Sequence, residues 1–493
     1  MTFNPKPLAP GTQVPGAFLL LPFQLAQAGR RRDDPGVSEV ESVAPDRSEI
    51  TPSEGCRGQK IAWILYDWAN SGYGLVWGVL FSAVFIGSML PKQPDWERRV
   101  VDGEEQIASG LLVMGVKVPG SAVFAILVAA VATLTVISAP VLGALADSRG
   151  WQRPLLRVTA AGGAVVAMLH AFVPADWQYT WVAAAVLYVV SFFLFGLSIT
   201  FYNAYLPILA GPGGENRLGG WGFAVGYIGG AVMLVIAALL MPYWIAFEEG
   251  PSYVYHLGLA ASGLWWLLFS LPIFTQMPDV PPAPDAADRP QGLLGPFVHV
   301  LRTLKHLRQY RMLFLFLLAF LVYINGVESV ISLSSAFGED VLMMGVRDLT
   351  IMFLIVQLVA FVGAAISGYA ADYFGCKPVI LAALLAWCVG VGLTYFVQTS
   401  FQFTLLGSLI GLVLGGVQSS SRTLMSKLTP AEIRNEAFGF YAIGTKAMSI
   451  FGPLLFAALG TMAGPRVAVF AVLPFLAIGM LLLLPVREPS SNS

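Results

Sequence analysis

Four charged residues stand inside long apolar stretches of this sequence, and their side chains are the ones best suited to chemistry. They are two acids and two bases, Asp67, Glu328, Arg422 and Lys446. A charge at bilayer depth costs at least about 2.5–3.5 kcal/mol and usually faces a partner or a cavity. Because the two signs are equal in number, we expect these groups to pair, and a carboxylate among them can carry a proton.

Flanking charges allow the depth of these residues to be estimated. Asp67 follows Lys60 and Arg422 precedes Lys427. At about 1.5 Å per residue, Asp67 lies about 10 Å and Arg422 about 8 Å from the inner surface, so the two can meet. Glu328 lies about 25 Å from the inner end of its stretch, toward the outer mouth.

A second set of candidate residues forms a loop that occurs twice. The glycines and aspartates of the two copies recur at a constant offset of 225 residues. An aspartate at a helix end and a base in a tight turn, with glycine permitting positive φ, can pair across a closed inner gate. One copy alone would fit loop charges that only orient the helices, whereas two copies in register indicate an internal duplication. The gating candidates are Gly143, Asp147, Arg149, Gly150 and Arg153 in the first copy, and Gly368, Asp372, Gly375 and Lys377 in the second.

The elements that position these residues are long apolar helices. The chain is 56% hydrophobic and 12% charged, with a mean hydropathy of +0.72, whereas soluble domains carry about 25% charged residues. The segments are uniformly apolar and not alternating, which predicts membrane helices and not a barrel. With about 20 residues needed per span, we predict twelve, at 61–90, 119–145, 155–174, 179–209, 220–244, 257–277, 311–333, 347–371, 378–398, 402–428, 436–461 and 466–486.

The predicted organisation is an all-α integral membrane protein with two pseudo-symmetric six-helix halves. The segments are a disordered cytoplasmic tail at 1–57, halves at 58–277 and 311–486, a cytoplasmic linker at 278–310 and a tail at 487–493. Residues 297–308 of the linker have amphipathic spacing, which fits either an interfacial helix or an extension of the seventh span. An N-terminus inside puts 20 Lys and Arg in inner segments and 6 in outer loops, so both termini are predicted to be cytoplasmic.

Several classes of function lack a signal. The net charge of -1 gives no indication of a nucleic-acid partner. The three cysteines form no CxxC pair and the four histidines are scattered, so we expect no disulfide framework, no metal and no cofactor. Walker, HExxH and GxSxG motifs are missing, which disfavours ATP coupling and an enzyme. A non-transporting membrane sensor or a membrane-embedded enzyme is the alternative to a function in solute transport.

Five short motifs together resemble the vacuole-effluxer family of the major facilitator superfamily. They are Trp63–Ser71, Phe201–Pro207, Gly219–Gly230, Gly415–Arg422 and Phe438–Tyr441. The resemblance covers essentially all of 58–486. It implies a twelve-span secondary transporter whose parallel halves rock around a central site. The best-known relatives, in fungal vacuoles, export amino acids.

The resemblance also implies that spans 1, 4, 7 and 10 line a central path. Span 7 of the family usually carries Tyr-x-Asp-Gly, but here the acid is replaced by Asn325, and Glu328 follows one helical turn later. The candidate substrate and coupling residues are Asp67, Asn70, Asn203, Asn325, Glu328, Gln418, Arg422 and Lys446.

Alternatives stay open for each charged residue. Asp67 is either half of an ion pair that closes the inner gate or a protonatable coupling site. Glu328 is either solvated in an outer vestibule or a substitute for the span-7 acid. Arg422 either pairs in the gate or anchors a substrate carboxylate, and Lys446 is expected to bridge helices. The expected partners are a small-molecule substrate, lipid and protons, in a bacterial cytoplasmic membrane or, in a eukaryote, a vacuolar membrane.

Overall fold

Long helices make up most of the chain in the computed structural model. The structure describes residues 55–77, 81, 85, 89–92, 98–101, 104–107, 110–174, 177–211, 213–245, 253–284, 286, 295, 300, 303, 309–342, 344, 346–446 and 465–489. All of them belong to one compact unit, Pro52–Ser493. The predicted tail at 1–57 and the amphipathic helix at 297–308 lie almost wholly outside the described residues.

Within the described ranges, seven α-helices lie in the first half of the sequence and seven in the second. In chain order they are α1 (Arg57–Leu75), α2 (Gly120–Arg149), α3 (Gln152–Met168), α4 (Thr180–Asn203), α5 (Leu206–Ala210), α6 (Glu215–Ile245), α7 (Tyr253–Gln276), α8 (Arg311–Leu342), α9 (Val346–Phe374), α10 (Cys376–Thr394), α11 (Ser400–Leu428), α12 (Arg434–Lys446), α13 (Pro465–Ala468) and α14 (Leu473–Leu483). Short 3-10 turns occupy Leu169–Phe172, Ala431–Ile433 and Val469–Val472.

Ten helices among the described residues are long and apolar enough to cross a membrane. Each coincides with one of the predicted spans within several residues. The other two predicted spans, 61–90 and 436–461, run into residues that the structure does not describe. Their described portions, α1 and α12, are helical.

A capping box separates α10 from α11 in a stretch that has no formal charge. The Thr399 hydroxyl accepts a hydrogen bond from the Gln402 backbone N–H at 3.2 Å. The Gln402 side chain in turn accepts one from the Thr399 backbone N–H at 3.3 Å. This reciprocal pairing satisfies donors at a helix N-terminus, so the predicted division of the stretch at 398–402 is confirmed.

The loop between the first two spans contains β-structure, which the all-α prediction missed. Strands β1 (Arg98–Val101) and β2 (Glu104–Ile107) pair antiparallel. Strands β3 (Gly110–Val113) and β4 (Val116–Pro119) form a second hairpin. Its turn holds Met114 at φ 50° and Gly115 at φ 80°, the positive φ values that tight hairpin turns require.

Buried apolar side chains form two main clusters that follow the predicted halves. One consists of residues between Ala62 and Met277, joined by Ala442. The other consists of residues between Leu313 and Val486, joined by Ala204, Ala224 and Tyr227. The few residues that belong to the opposite cluster lie where the halves touch. Each half therefore has its own core.

Glycines bring helices of opposite halves into backbone contact. A Cβ on Gly143 of α2 would lie 2.5 Å from the Asn435 carbonyl oxygen of α12. On the other side, a Cβ on Gly220 of α6 would lie 3.0 Å from both the Ala364 oxygen and the Gly368 Cα of α9. Only residues without a side chain permit such crossings. The two motif helices, α2 and α9, thus each pack on a helix of the other half.

Candidate functional site

A buried ion pair joins the two halves. Arg422 of α11 places Nη1 3.0 Å from Oδ2 of Asp67 on α1. Side-chain exposure is 3% for Arg422 and 11% for Asp67. The two residues thus meet, as their estimated depths allowed. Their roles in gating, coupling or substrate binding stay predictions.

Further contacts hold the Arg422 guanidinium inside the N-terminal half. Its Nη2 donates to the Gly219 carbonyl at 2.9 Å, and its Nη1 approaches the Asn203 amide oxygen at 3.5 Å. A Cβ on Gly222 would lie 2.5 Å from Asp67 Oδ2 and 2.8 Å from Arg422 Nη2. Glycine at position 222 therefore makes room for the ion pair.

Three aromatic rings of the N-terminal half surround Arg422. Its guanidinium carbon lies 4.1 Å from the Phe223 ring centroid, 4.6 Å from Trp63 and 5.7 Å from Tyr202. Trp63 stacks on Tyr202 at 4.6 Å between centroids and donates its Nε1–H to the Tyr202 carbonyl. Such rings attract a cation most strongly when water is excluded. We call Trp63, Tyr202 and Phe223 the Arg422 cage.

Two other candidate substrate and coupling residues, Gln418 and Asn70, contact aromatic side chains. Tyr227 of α6 donates its hydroxyl to the Gln418 amide oxygen of α11 at 2.6 Å, again between the halves. The amide oxygen of Asn70 accepts from the Trp266 indole at 2.9 Å, which ties α1 to α7. The structure thus places Gln418 between the halves and Asn70 within the N-terminal core.

The span-7 candidates lie on α8. Asn325 is 2% exposed, and its amide nitrogen donates to the Leu321 carbonyl one turn earlier. Glu328 is half-buried and within electrostatic range of Tyr227 and Tyr441. Both tyrosines also interact with Arg422. Glu328 and Arg422 thus share two tyrosine neighbours, and we call Asp67, Arg422, Glu328, Tyr227 and Tyr441 the central cluster. The two alternatives for Glu328, a solvated outer vestibule and a substitute for the span-7 acid, stay predictions.

Lys446 is the last described residue of α12. Its predicted contact between helices falls beyond what the structure describes and stays a prediction.

In the first motif loop, Asp147 binds the N-terminus of α12 in the other half. Its carboxylate accepts hydrogen bonds from the backbone N–H groups of Asn435 at 3.1 Å and Glu436 at 3.0 Å. The Asn435 side-chain amide donates a third bond at 2.7 Å. Because a helix N-terminus has free N–H donors and a positive end, a carboxylate is well suited to bind it.

In the second motif loop, Asp372 binds the start of α6. Its carboxylate accepts from the Asn216 amide at 3.0 Å and pairs with the Arg217 guanidinium at 2.5 Å. Gly150 and Gly375, the turn glycines of the two loops, have φ values of 67° and 87°. The positive φ expected of these glycines is confirmed. We call the face at which both loops lie the motif side.

The motif bases contact their own half or the start of the linker, contrary to the expectation that they pair across the gate. Arg153 pairs with Asp279 at 3.2 Å, just past α7. Lys377 donates to the Leu484 carbonyl at 2.6 Å, and Arg149 lies over the Trp151 ring of its own loop at 4.8 Å. The aspartates carry the contacts between halves because they face helix N-termini, whereas the longer bases reach back along the surface.

Sequence reasoning missed two buried features. Glu436, at the start of a predicted span, is 0% exposed and forms part of the α2–α12 contact. His170 and His256 looked scattered, but their Nδ1 atoms lie 3.1 Å apart in a buried pair. No group of three or more potential metal ligands occurs in the described part of the chain.

Comparison with known proteins identifies the family. The model of a family described as "Vacuole effluxer Atg22 like" matches residues 57–218 and 213–492. The chain belongs to this family. An uncharacterized MFS-type transporter, YxiO of Bacillus subtilis (strain 168), is 30% identical over 438 residues, 88% of this chain and 96% of that protein. Autophagy-related protein 22-1 of Penicillium rubens is 26% identical over 300 residues, which is 55% of this chain and 49% of that protein.

Solved structures of major facilitator transporters share the fold of this Atg22-like chain. The proton:xylose symporter XylE has a TM-score of 0.63 at 14% identity, over 88% of this chain and 97% of that one. FucP in its outward conformation has a TM-score of 0.60 at 12% identity, over 88% and 99% of the two chains. At such identities the likeness shows the fold alone. Fold and family together make the chain a multi-pass membrane transporter and not an enzyme.

Replacing Asp147 or Asp372 with Asn is expected to slow transport while leaving membrane insertion intact. The Asn side chain replaces one acceptor oxygen by an NH2 donor, which would face the N–H groups that now donate to the carboxylate. This should destabilise the closed gate by about 1–3 kcal/mol. Initial rates in proteoliposomes, normalised to the amount of inserted protein, measure the effect. Asp279→Asn is the matched control because Asp279 is exposed and pairs within one half. Wild-type rates in both gate variants would exclude the gating role.

Proposed function

We propose that this Atg22-like transporter exports small polar solutes, with amino acids first among them, by alternating access. One observation carries the proposal: a buried ion pair, Asp67–Arg422, joins the two halves. The motif-side face cannot open without parting it, together with the Asp147 and Asp372 contacts. A buried charge needs a replacement partner when its own departs. A polar or charged solute can be that replacement partner.

The substrate class has two supports. The matching family is described by the word "effluxer", and the resemblance of the five motifs to that family implies amino acids as the exported solutes. Amino acids carry both charges, and the central cluster offers a base, Arg422, and two acids, Asp67 and Glu328. A bacterial cytoplasmic membrane with both termini inside is the proposed location, since the bacterial relative matches nearly end to end. Protons are the proposed coupling ion.

Counterflow in proteoliposomes tests the proposal. Vesicles loaded with one unlabelled amino acid at a time, and diluted into its trace-labelled form, should accumulate label transiently if the protein exchanges that solute. Vesicles without protein and vesicles loaded with xylose are the controls. Accumulation only of sugars, or of no solute in a full amino-acid panel, would refute the proposed substrate class.

A further inference from the structure

One N–H donor of the Arg422 guanidinium is without a hydrogen-bond partner among the described residues. Both Asp67 oxygens contact the same nitrogen, Nη1, at 3.0 and 3.4 Å, while Nη2 donates to a backbone carbonyl. The donor that lacks a partner within the described part of the chain is the Nε–H, which is buried. Asp67 therefore does not form the two-pronged Arg–carboxylate contact that gives the strongest such pairs.

The Arg422 cage limits what else can bind. Phe223 and Trp63 lie 4.1 and 4.6 Å from the guanidinium carbon, and the N–H donors of a guanidinium point outward in its plane, so a carboxylate would bind in that plane. A planar carboxylate that is not tethered to α1 fits that geometry and can use two N–H donors together. Asp67, held by its own helix, contacts only Nη1.

From this geometry we propose that Asp67 stands in for a substrate carboxylate, which replaces it at Arg422 during transport. The inference rests on the proposed function and specifies the substrate class as carboxylates. Arg422 keeps one negative partner throughout the exchange. The displaced Asp67 would be a buried charge without its cation, so it takes up one proton from the water that enters with the substrate. Substrate binding and proton uptake are thereby linked, so the proton leaves with the exported carboxylate and the concentration gradient of the substrate drives the export.

The surroundings of Asp67 are compatible with this exchange. Among the residues that the structure describes, Tyr66, Tyr202 and Tyr227 interact electrostatically with Asp67. All three are neutral phenols at physiological pH. Arg422 is the cation in contact with Asp67. When a substrate carboxylate takes the place of Asp67 at Arg422, Asp67 therefore loses the cation that favours its charged form.

Acetate tests the carboxylate site without reference to transport. Asp67→Ala removes the internal carboxylate, and acetate should then raise the melting temperature of the purified variant saturably, relative to chloride at equal ionic strength. Wild type, in which acetate must displace Asp67, should respond less, and the double variant Asp67→Ala/Arg422→Gln should not respond. An equal response of all three proteins, or none in Asp67→Ala, would overturn the inference.

A second measurement uses the wild-type protein, in case Asp67→Ala does not fold. In weakly buffered solution, L-leucine binding should take up about one proton per leucine, read with a pH indicator dye. Leucinol, which has no carboxylate, should bind more than about tenfold more weakly. Exchange of leucine without proton uptake and with equal leucinol affinity would refute the inference and leave the proposed function standing. A saturable rise in the melting temperature of Asp67→Ala with acetate, without any amino-acid exchange, would refute the proposed function and support the carboxylate site.

Discussion

Arg422→Gln is expected to destabilise the protein by about 3–5 kcal/mol, because the change leaves the Asp67 charge buried without its cation. Asp67→Asn should also destabilise the protein, because it leaves the Arg422 charge buried without its carboxylate. The double variant Asp67→Asn/Arg422→Gln should cost less than the two single changes together, by about 2–3 kcal/mol. Denaturation of the detergent-solubilised variants gives the four free energies of unfolding that the cycle needs.

The Arg153–Asp279 pair is the matched control for that cycle. It has a similar separation, 3.2 Å, but the Asp279 side chain is 80% exposed. Solvent screening should reduce its coupling free energy below about 1 kcal/mol. If the buried pair shows no more coupling than this exposed one, Arg422 and Asp67 do not depend on each other for stability.

Gly143→Val is expected to prevent closure of the motif side and to lower transport more than about tenfold. A Cβ at this position would meet the Asn435 oxygen at 2.5 Å and the Glu436 nitrogen at 2.7 Å. These are backbone atoms that cannot rotate away, so overpacking must push α2 from α12. Counterflow measures the loss of transport.

Labelling reports the state of the gate in the same variant. With the three native cysteines replaced by Ser, Asn203→Cys introduces a thiol beside Arg422 at a position only 6% exposed. A membrane-impermeant maleimide applied from the motif side should react faster when Gly143→Val is present. Gly392→Val is the control, because a Cβ there meets nothing within 4 Å. Unchanged labelling together with normal transport would contradict the role of Gly143 in closure.

Span positions and the central ion pair are predictable from this sequence for simple reasons. Long apolar runs leave few alternatives to a membrane helix, and the Thr399–Gln402 capping box marks a boundary by local hydrogen bonds. Asp67 and Arg422 meet because each charge needs a partner at its depth. These inferences use rise per residue and the cost of burial, and neither depends on knowing which helix faces go together.

Contacts that depend on helix rotation were not predictable. Trp63, Tyr202 and Phe223 lie in three of the family motifs, but that their rings lie around one cation depends on how three helices are rotated. His170 and His256 meet because α3 and α7 are neighbours, which their separation in the sequence does not reveal. The hairpin turn at Met114–Gly115 has no Asn-Gly or Asp-Gly signal, so its strands were not recognised.

The two motif loops look alike in sequence, yet they hold the halves together by different forces. Asp147 is 6% exposed and binds N–H groups, whereas Asp372 pairs with Arg217, whose side chain is 63% exposed. Dissolved ions screen an exposed pair far more than a buried carboxylate at a helix end. We therefore expect rising ionic strength to weaken the contact between α6 and α9 before the contact between α2 and α12.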